Sequence, residues 1–256
     1  MNRVTMAPTT LPDAPPLESI RAAQTAGFQG LGLRLHKSPA YPNWSDWLGD
    51  AALKRDVKQR LADTGQEMVE SLSYYLLPEM DWDEYRPSLE FARELGATYA
   101  LVIGRDPDWS HQRESFAHFC DIAADIGLIA AIEAPVGTLS PIDAAFRVIQ
   151  ETRKRNAVVC IDPTAFLRAG DTPSALRGRD PALLPYTQLN EGKREGGPRV
   201  RPGDGEANVS ALLQALPKDV PLSLEWPPPR DASYSAEQWA RIAMEGTQRF
   251  LEDYYA

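Results

Sequence analysis

The sequence is poor in cysteine and histidine and contains no long apolar run. Its two cysteines, Cys120 and Cys160, lie far apart in the apolar contexts HFCDIA and AVVCID, which predicts buried, reduced thiols without a disulfide. Only three histidines occur in 256 residues, which disfavours a site with many zinc-binding imidazoles. No segment reaches the roughly 20 apolar residues of a membrane span or resembles a signal peptide, so we expect a cytoplasmic protein.

Positive charge is also scarce. The chain has 36 Asp and Glu residues against 27 Lys and Arg residues, for a formal net charge of −9. This balance gives no general attraction to phosphate backbones or anionic lipids, so we expect neither nucleic acid nor a membrane as a partner. The glycine-rich phosphate loops GxGxxG and GxxxxGK[ST] are absent as well, which disfavours a nucleotide-binding fold.

Short β-branched or aliphatic runs alternate with longer amphipathic stretches along the whole chain. This alternation is typical of a parallel sheet covered by helices, and eight strand–helix pairs favour one closed (β/α)8 TIM barrel over residues 1–256. The predicted strands are 4–9, 31–35, 67–74, 99–104, 129–134, 158–162, 186–189 and 222–226. The predicted helices are 16–26, 45–64, 82–95, 112–126, 141–155, 174–177, 209–215 and 236–254.

Four consecutive predicted strands carry a polar side chain at their carboxyl end. These residues are Glu133 in IEAP, Asp162 in CIDP, Gln188 in TQLNEG and Glu225 in LEWP. Because the carboxyl ends of barrel strands form one rim, we expect the four side chains to meet there. Three carboxylates and an amide oxygen suit Mn²⁺ or Mg²⁺ better than zinc, and can also take Co²⁺. A single strand-end carboxylate often only caps a helix or pairs with Arg, whereas four in register favour a metal site.

Together these motifs resemble the xylose isomerase-like superfamily of sugar isomerases and epimerases, including its hydroxypyruvate isomerase and ketose 3-epimerase branches. The resemblance covers nearly the whole chain, and it rests on IEAP, CIDPTAFLRAG, YTQLNEG with RVRPGDGE, and LSLEWP. It implies metal ligation by Glu133, Asp162, Gln188 and Glu225. It also implies acid/base catalysis by Glu133 and Glu225, and assembly as a homodimer or homotetramer.

The resemblance implies isomerisation or epimerisation of a small polyhydroxylated carbonyl substrate through an enediolate. Two residues depart from the family pattern. Many members have His where this chain has Gln188, and many have His where it has Ala165, three residues after Asp162. The first departure favours hard cations, and the second removes a usual substrate contact. Two alternatives therefore stay open, namely a carbon–oxygen lyase that eliminates water from the same intermediate and a barrel subunit without catalytic activity.

Five further residues are candidate substrate contacts. Arg34 and His36 end the second strand and could instead face a helix or solvent. Glu70 and Tyr74 point to one side of the third strand by period-two alternation, and could be substrate contacts or barrel interior. Arg201 precedes PGDGE, although Arg199 is the closer spacing match to the family's Arg-x-x-Pro-Gly-x-Gly loop.

Outside these positions, four aromatic or imidazole groups are weaker candidates. His111 and His118 are predicted on the outer face of a helix, where surface or packing roles are expected. Trp109 and Trp226 could either stack on a sugar ring or pack on the rim.

Overall fold

Eight parallel strands close into a barrel in chain order, with β8 paired to β1. The structure is a computed structural model that describes residues 2–37 and 47–256. The predicted (β/α)8 barrel is confirmed. The strands are β1 (Val4–Met6), β2 (Leu31–Leu33), β3 (Met68–Leu76), β4 (Tyr99–Gly104), β5 (Ile129–Ala134), β6 (Ala157–Ile161), β7 (Thr187–Leu189) and β8 (Leu222–Leu224).

Helices cover the outside of the barrel between successive strands. None of those in the described part of the chain is long and apolar enough to cross a membrane. The start of the predicted helix 45–64 lies partly outside the described residues. The helices are α1 (Pro16–Ala26), α2 (Ala51–Thr64), α3 (Trp82–Glu94), α4 (Trp109–Ile126), α5 (Ile142–Thr152), α6 (Pro163–Arg168), α7 (Val209–Ala215) and α8 (Ala236–Tyr255), with short 3₁₀ helices at Pro8–Thr10, Pro173–Leu176 and Pro181–Leu183.

Helix α6 forms where no helix is predicted. The Asp162 side chain accepts a hydrogen bond from Ala165 N at 2.7 Å, and Pro163 occupies the first helical position. Both features favour a helix start, because the cap satisfies a free N–H and proline loses no hydrogen bond there. The residue predicted as a metal ligand therefore also begins a helix.

The strands divide their side chains between two apolar clusters. In β4, Ala100 and Val102 pack with the helices, whereas Leu101 joins a smaller cluster inside the barrel. That inner cluster comprises Leu72, Leu101, Ala131, Val158, Cys160 and Tyr186. Cys120 and Cys160 are both buried free thiols, as predicted.

Strand β3 departs from simple alternation. Its register with β4 shifts between Ser71 and Tyr74. Glu70 faces the interior, where it accepts a hydrogen bond from Ser223 of β8. Tyr74 instead packs on the helix side, with ring centroids 5.2 Å from Tyr85 and 5.5 Å from Phe119. The prediction that Glu70 and Tyr74 point to the same side is wrong, because the register shift reverses the alternation.

Replacing Leu101 with Ala tests the inner cluster. Leu101 is fully buried, and we expect the free energy of unfolding to fall by about 2–5 kcal/mol because the barrel cannot collapse around the cavity. Urea denaturation measures the loss. Leu183→Ala, in a half-buried position of a 3₁₀ helix, is the control with an expected loss below about 1 kcal/mol. Equal losses in the two variants would contradict the described packing.

Candidate active site

Four polar side chains from consecutive strands meet at the carboxyl rim of the barrel. Glu133 belongs to β5 and Gln188 to β7, while Asp162 and Glu225 directly follow β6 and β8. All four are buried. The strand order places them side by side, so the structure brings together the residues that were predicted as metal ligands.

Asp162 and Glu225 each use one carboxylate oxygen for local structure. Asp162 Oδ1 caps α6, and Glu225 Oε1 accepts a hydrogen bond from Thr9 Oγ1 at 2.8 Å. The remaining oxygens, Asp162 Oδ2 and Glu225 Oε2, face the amide of Gln188 at 3.2 Å and 3.3 Å. Two carboxylates and one amide thus share a single small space.

The Gln188 amide can serve this space in either of two orientations. With its nitrogen inward, it donates a hydrogen bond to each of the two carboxylates. With its oxygen inward, the amide presents a third oxygen to the space, 3.2 Å from Asp162 Oδ2 and 3.3 Å from Glu225 Oε2, and oxygen ligands of this kind suit a hard divalent cation. A histidine at this position could not exchange a donor for an oxygen ligand by simple rotation.

Arg199 supplies positive charge to the same space. Its Nη2 lies 2.6 Å from Asp162 Oδ2 and 3.6 Å from Glu225 Oε2. Its Nη1 donates to Asn190 Oδ1 at 3.1 Å. The guanidinium therefore neutralises the carboxylate pair and ties it to the loop that follows β7.

Asn190 connects three parts of the rim, although it is not among the predicted site residues. Its Nδ2 donates to Glu225 Oε2 at 2.9 Å, and its Oδ1 accepts from Thr164 N at 3.0 Å as well as from Arg199. The signal for Asn190 was its position two residues after Gln188, which places it on the same side of an extended chain.

Glu191 shapes the loop that carries Arg199. Its Oε2 accepts hydrogen bonds from Gly203 N at 2.9 Å and Gly205 N at 2.7 Å, and its Oε1 accepts from Val209 N at 3.1 Å. Its backbone also pairs with Val200. One buried carboxylate therefore holds the segment RPGDGE against the barrel.

Burial and the charge of neighbouring carboxylates make Glu133 and Glu225 hard to ionise. Burial raises the pKa of Glu133 well above its usual range, and the charges of Glu225 and Asp162 raise it further. Burial also raises the pKa of Glu225, an effect that the Arg199 guanidinium opposes. Both carboxyl groups therefore hold their protons more tightly than exposed carboxyl groups do.

The donor set fits a hard divalent cation in chemistry, but not in its present arrangement. Among residues 2–37 and 47–256, no three Asp, Glu, His or Cys side chains are grouped to hold a metal ion as they stand. The Arg199 guanidinium lies against two of the oxygens that would face a metal, Asp162 Oδ2 at 2.6 Å and Glu225 Oε2 at 3.6 Å. Withdrawal of Arg199 and rotation of Gln188 would expose the oxygens of Asp162, Gln188 and Glu225, with Glu133 beside them.

The structure places the other predicted substrate contacts in different surroundings. Arg34 is buried just after β2. The His36 ring lies on the helix side of β3, 4.5 Å from Tyr85. Tyr74 is on the helix side too. Arg201 pairs with Asp204 at 2.6 Å, so Arg199 is the arginine of this loop that reaches the carboxylates.

The weaker aromatic and imidazole candidates all pack near other side chains. Trp109 donates a hydrogen bond to Glu151 of α5 at 2.9 Å, on the outer surface. His111 pairs with Asp106, and the His118 ring packs on Trp82. Trp226 packs against Trp239 of α8, with ring centroids 5.2 Å apart.

Barrel, rim carboxylates and the Arg-bearing loop together define a protein of the xylose isomerase-like class. The model of the family described as xylose isomerase-like TIM barrel matches residues 20–251. The chain belongs to this family. No curated protein matches the sequence significantly.

Three solved structures illustrate the likeness. The IolI protein with a binding zinc atom superposes with a TM-score of 0.80 at 18% identity, covering 99% of each chain. The 3-keto-D-glucoside 4-epimerase YcjR from E. coli superposes with a TM-score of 0.72 at 15% identity, and the match covers 98% of this chain and 100% of YcjR. A xylose isomerase-like TIM barrel/4-hydroxyphenylpyruvate dioxygenase fusion protein superposes with a TM-score of 0.78 at 19% identity. The match covers 99% of this chain and 43% of the fusion protein. Identities this low establish the fold alone.

The buried carboxyl of Glu70 predicts a pH-dependent stability. Burial raises its pKa from 4.5 to about 7, so the native state binds this proton more tightly than the unfolded state. The resulting stabilisation, about 3 kcal/mol, is complete below pH 4.5 and disappears as the pH rises to about 7. We expect Glu70→Gln to remove this part of the pH dependence of unfolding, measured by urea denaturation.

The control for this measurement is Glu67→Gln. Glu67 is exposed on the same segment and pairs with Arg3, so its replacement should leave the slope of stability against pH unchanged. An unaltered slope in Glu70→Gln would contradict the burial of a neutral acid.

Proposed function

We propose that the protein is a divalent-metal-dependent isomerase or epimerase of a small sugar or hydroxy-ketone. The observation that carries the proposal is the convergence of Asp162, Gln188 and Glu225 in one buried space, with Glu133 beside it. The family match and a solved epimerase of the same fold support the same reading. We assign the metal as Mn²⁺ or Mg²⁺, with Co²⁺ as a substitute, because all of the donors are oxygens.

The bound metal would polarise the substrate carbonyl and stabilise an enediolate. We assign removal of the proton from the carbon beside the carbonyl to the carboxylate of Glu133, which is buried at the end of β5 next to the space shared by Asp162, Gln188 and Glu225. Glu225 approaches from β8, three strands away from β5, and returns a proton from another direction. Thr9 and Asn190 keep the Glu225 carboxylate in place through their hydrogen bonds.

The position of the returned proton decides the outcome. Return to the other carbon of the enediolate gives isomerisation, and return to the same carbon from the opposite face gives epimerisation. Arg199 lies beside Glu225 and can hold a substrate oxygen once it leaves Asp162. The rim thus contains two acid/base groups and one cationic anchor.

A carbon–oxygen lyase is the second candidate. Many family members carry His at the position of Ala165. Ala165 offers only a methyl group there, because its backbone N–H already donates a hydrogen bond to Asp162. Without that side chain, a β-hydroxyl of the substrate is less restrained and can leave as water from the same intermediate. Elimination produces an enone, whose ultraviolet absorbance separates the two reactions.

Metal content tests the proposed site. We expect near-stoichiometric Mn²⁺, Mg²⁺ or Co²⁺ in the purified protein by mass spectrometry, and its loss in Asp162→Asn and Glu225→Gln because each substitution removes an anionic ligand. Asp121→Asn and Glu151→Gln are matched controls, since both residues form ion pairs on the outer helices. Wild-type protein that stays metal-free after reconstitution would contradict the proposal.

Solvent exchange tests the reaction itself. The metal-loaded protein should catalyse exchange of α-protons of ketoses in deuterated water, and Glu133→Gln should abolish this exchange while the variant remains folded. A stoichiometric metal without exchange across a broad ketose panel would assign the chain to the third alternative, a barrel subunit without catalysis.

Arg199 and Arg201 offer a matched pair of variants. Arg199→Gln removes the cation that competes with a metal for Asp162, so we expect tighter Mn²⁺ binding by calorimetry. The metal-free protein should lose about 3 kcal/mol of stability, because two buried carboxylates lose their counterion. Arg201→Gln should change neither quantity, since its partner is Asp204. Weaker Mn²⁺ binding in Arg199→Gln would show that Arg199 supports the metal site.

A further inference from the structure

A wide cleft opens directly beside the candidate active site. The cleft has a volume of about 1890 Å³, and Thr9, Arg199 and Glu225 form its inner end. Ligand pockets for drug-sized molecules are usually about 300–1,000 Å³. A cleft of this size exceeds what a free monosaccharide needs, so its outer part is available to a group that does not react.

Aromatic and proline side chains form the outer wall of the cleft. We call it the aromatic wall and define it as Trp226, the three prolines 227–229, Tyr234 and Trp239. The Trp239 ring lies 5.2 Å from that of Trp226 and 5.3 Å from that of Tyr234, centroid to centroid. Tyr234 is 49% exposed, and it is one of two large hydrophobic side chains exposed in the described ranges.

The aromatic wall offers few hydrogen bonds. Its three consecutive prolines have no backbone N–H. The indole N–H of Trp239 already donates to the backbone oxygen of Trp226 at 2.8 Å. Arg201 and Asp204, which also line the cleft, are paired with each other. Charged side chains also line the cleft, at Asp13, Glu18, Arg230 and Asp231. On the aromatic wall itself, a polyhydroxylated unit would lose hydrogen bonds to water without replacement, whereas a flat apolar group would not.

The wall is also held rigid. Proline restricts the backbone of 227–229, and the capping box between Ser235 and Gln238 fixes the start of α8 directly after Tyr234. The Trp226 ring lies close to Gly246 of α8, where an added Cβ would approach it to 2.8 Å. A preformed apolar surface binds a ring with little loss of side-chain freedom.

We propose that the substrate is a sugar that carries both a carbonyl group and an aromatic group, such as an aryl glycoside with one ring hydroxyl oxidised to a ketone. This inference rests on the proposed function and specifies its substrate class. The sugar occupies the polar inner end near Glu225 and Arg199, and the aryl group stacks on the aromatic wall beside Tyr234. The polar and apolar ends of the cleft match the two ends of such a molecule.

Equilibrium binding of two probes tests the inference. Phenyl and methyl β-D-glucopyranoside differ only in the aglycone, and neither contains a carbonyl, so calorimetry on the metal-loaded protein measures binding without turnover. We expect the phenyl compound to bind about five- to tenfold more tightly, as one aromatic stacking contact provides. Tyr234→Ala should abolish most of this preference and leave the methyl compound unaffected.

Tyr255→Ala is the matched control, because Tyr255 is 44% exposed and lies at the far end of α8. It should retain the phenyl preference. Equal binding of the two glucosides, failure of both to bind, or loss of preference in Tyr255→Ala alone would overturn the inference. A dimer that dissociates in Tyr234→Ala and excludes both glucosides would instead assign the wall to a second copy, and would also overturn it.

The proposed function can fail separately. Deuterium exchange into a free ketose without any phenyl preference would reject the aryl site and retain the isomerase. A phenyl preference that depends on Tyr234, without exchange into any ketose, would retain the binding site and reject the isomerase.

Discussion

Three carboxyl groups buried at the ends of neighbouring strands, with a glutamine at the end of a fourth, are the constraint on which the carboxyl rim of this barrel depends. Carboxylates removed from water repel one another and are costly unless donors or cations compensate them. Here Thr9, Asn190 and Arg199 provide that compensation for Glu225 and Asp162. Each comes from a different part of the chain, so the rim is complete only when the loops have folded over it.

The short stretch TQLNEG performs three tasks in that arrangement. Gln188 faces the carboxylates, Asn190 links them to α6 and to Arg199, and Glu191 anchors the loop through three backbone N–H groups. Because β7 contains only three residues, the position of this loop depends on these side-chain hydrogen bonds together with the backbone pairing of Glu191 with Val200. The chemistry of the rim and the position of its covering loop are therefore coupled.

Arg199 and Glu225 belong both to the buried rim and to the inner end of the open cleft. A ligand in the cleft would contact the same guanidinium that neutralises the carboxylates in its absence. Substrate recognition, charge compensation and metal affinity would then depend on one side chain. This overlap explains how a loop far from β5 in sequence can influence Glu133, whose pKa is raised by burial and lowered in part by the charge of Arg199.

The sequence alone determined the barrel and the four rim residues, because alternating strands and helices impose parallel strands whose carboxyl ends must share one rim. Tertiary structure decided what the strand period could not. A register shift turned Tyr74 toward the helices. The folded loop brings Arg199, the closer spacing match, to the carboxylates and pairs Arg201 with Asp204 instead. These outcomes depend on contacts between residues distant in sequence, and a local pattern carries no information about such contacts.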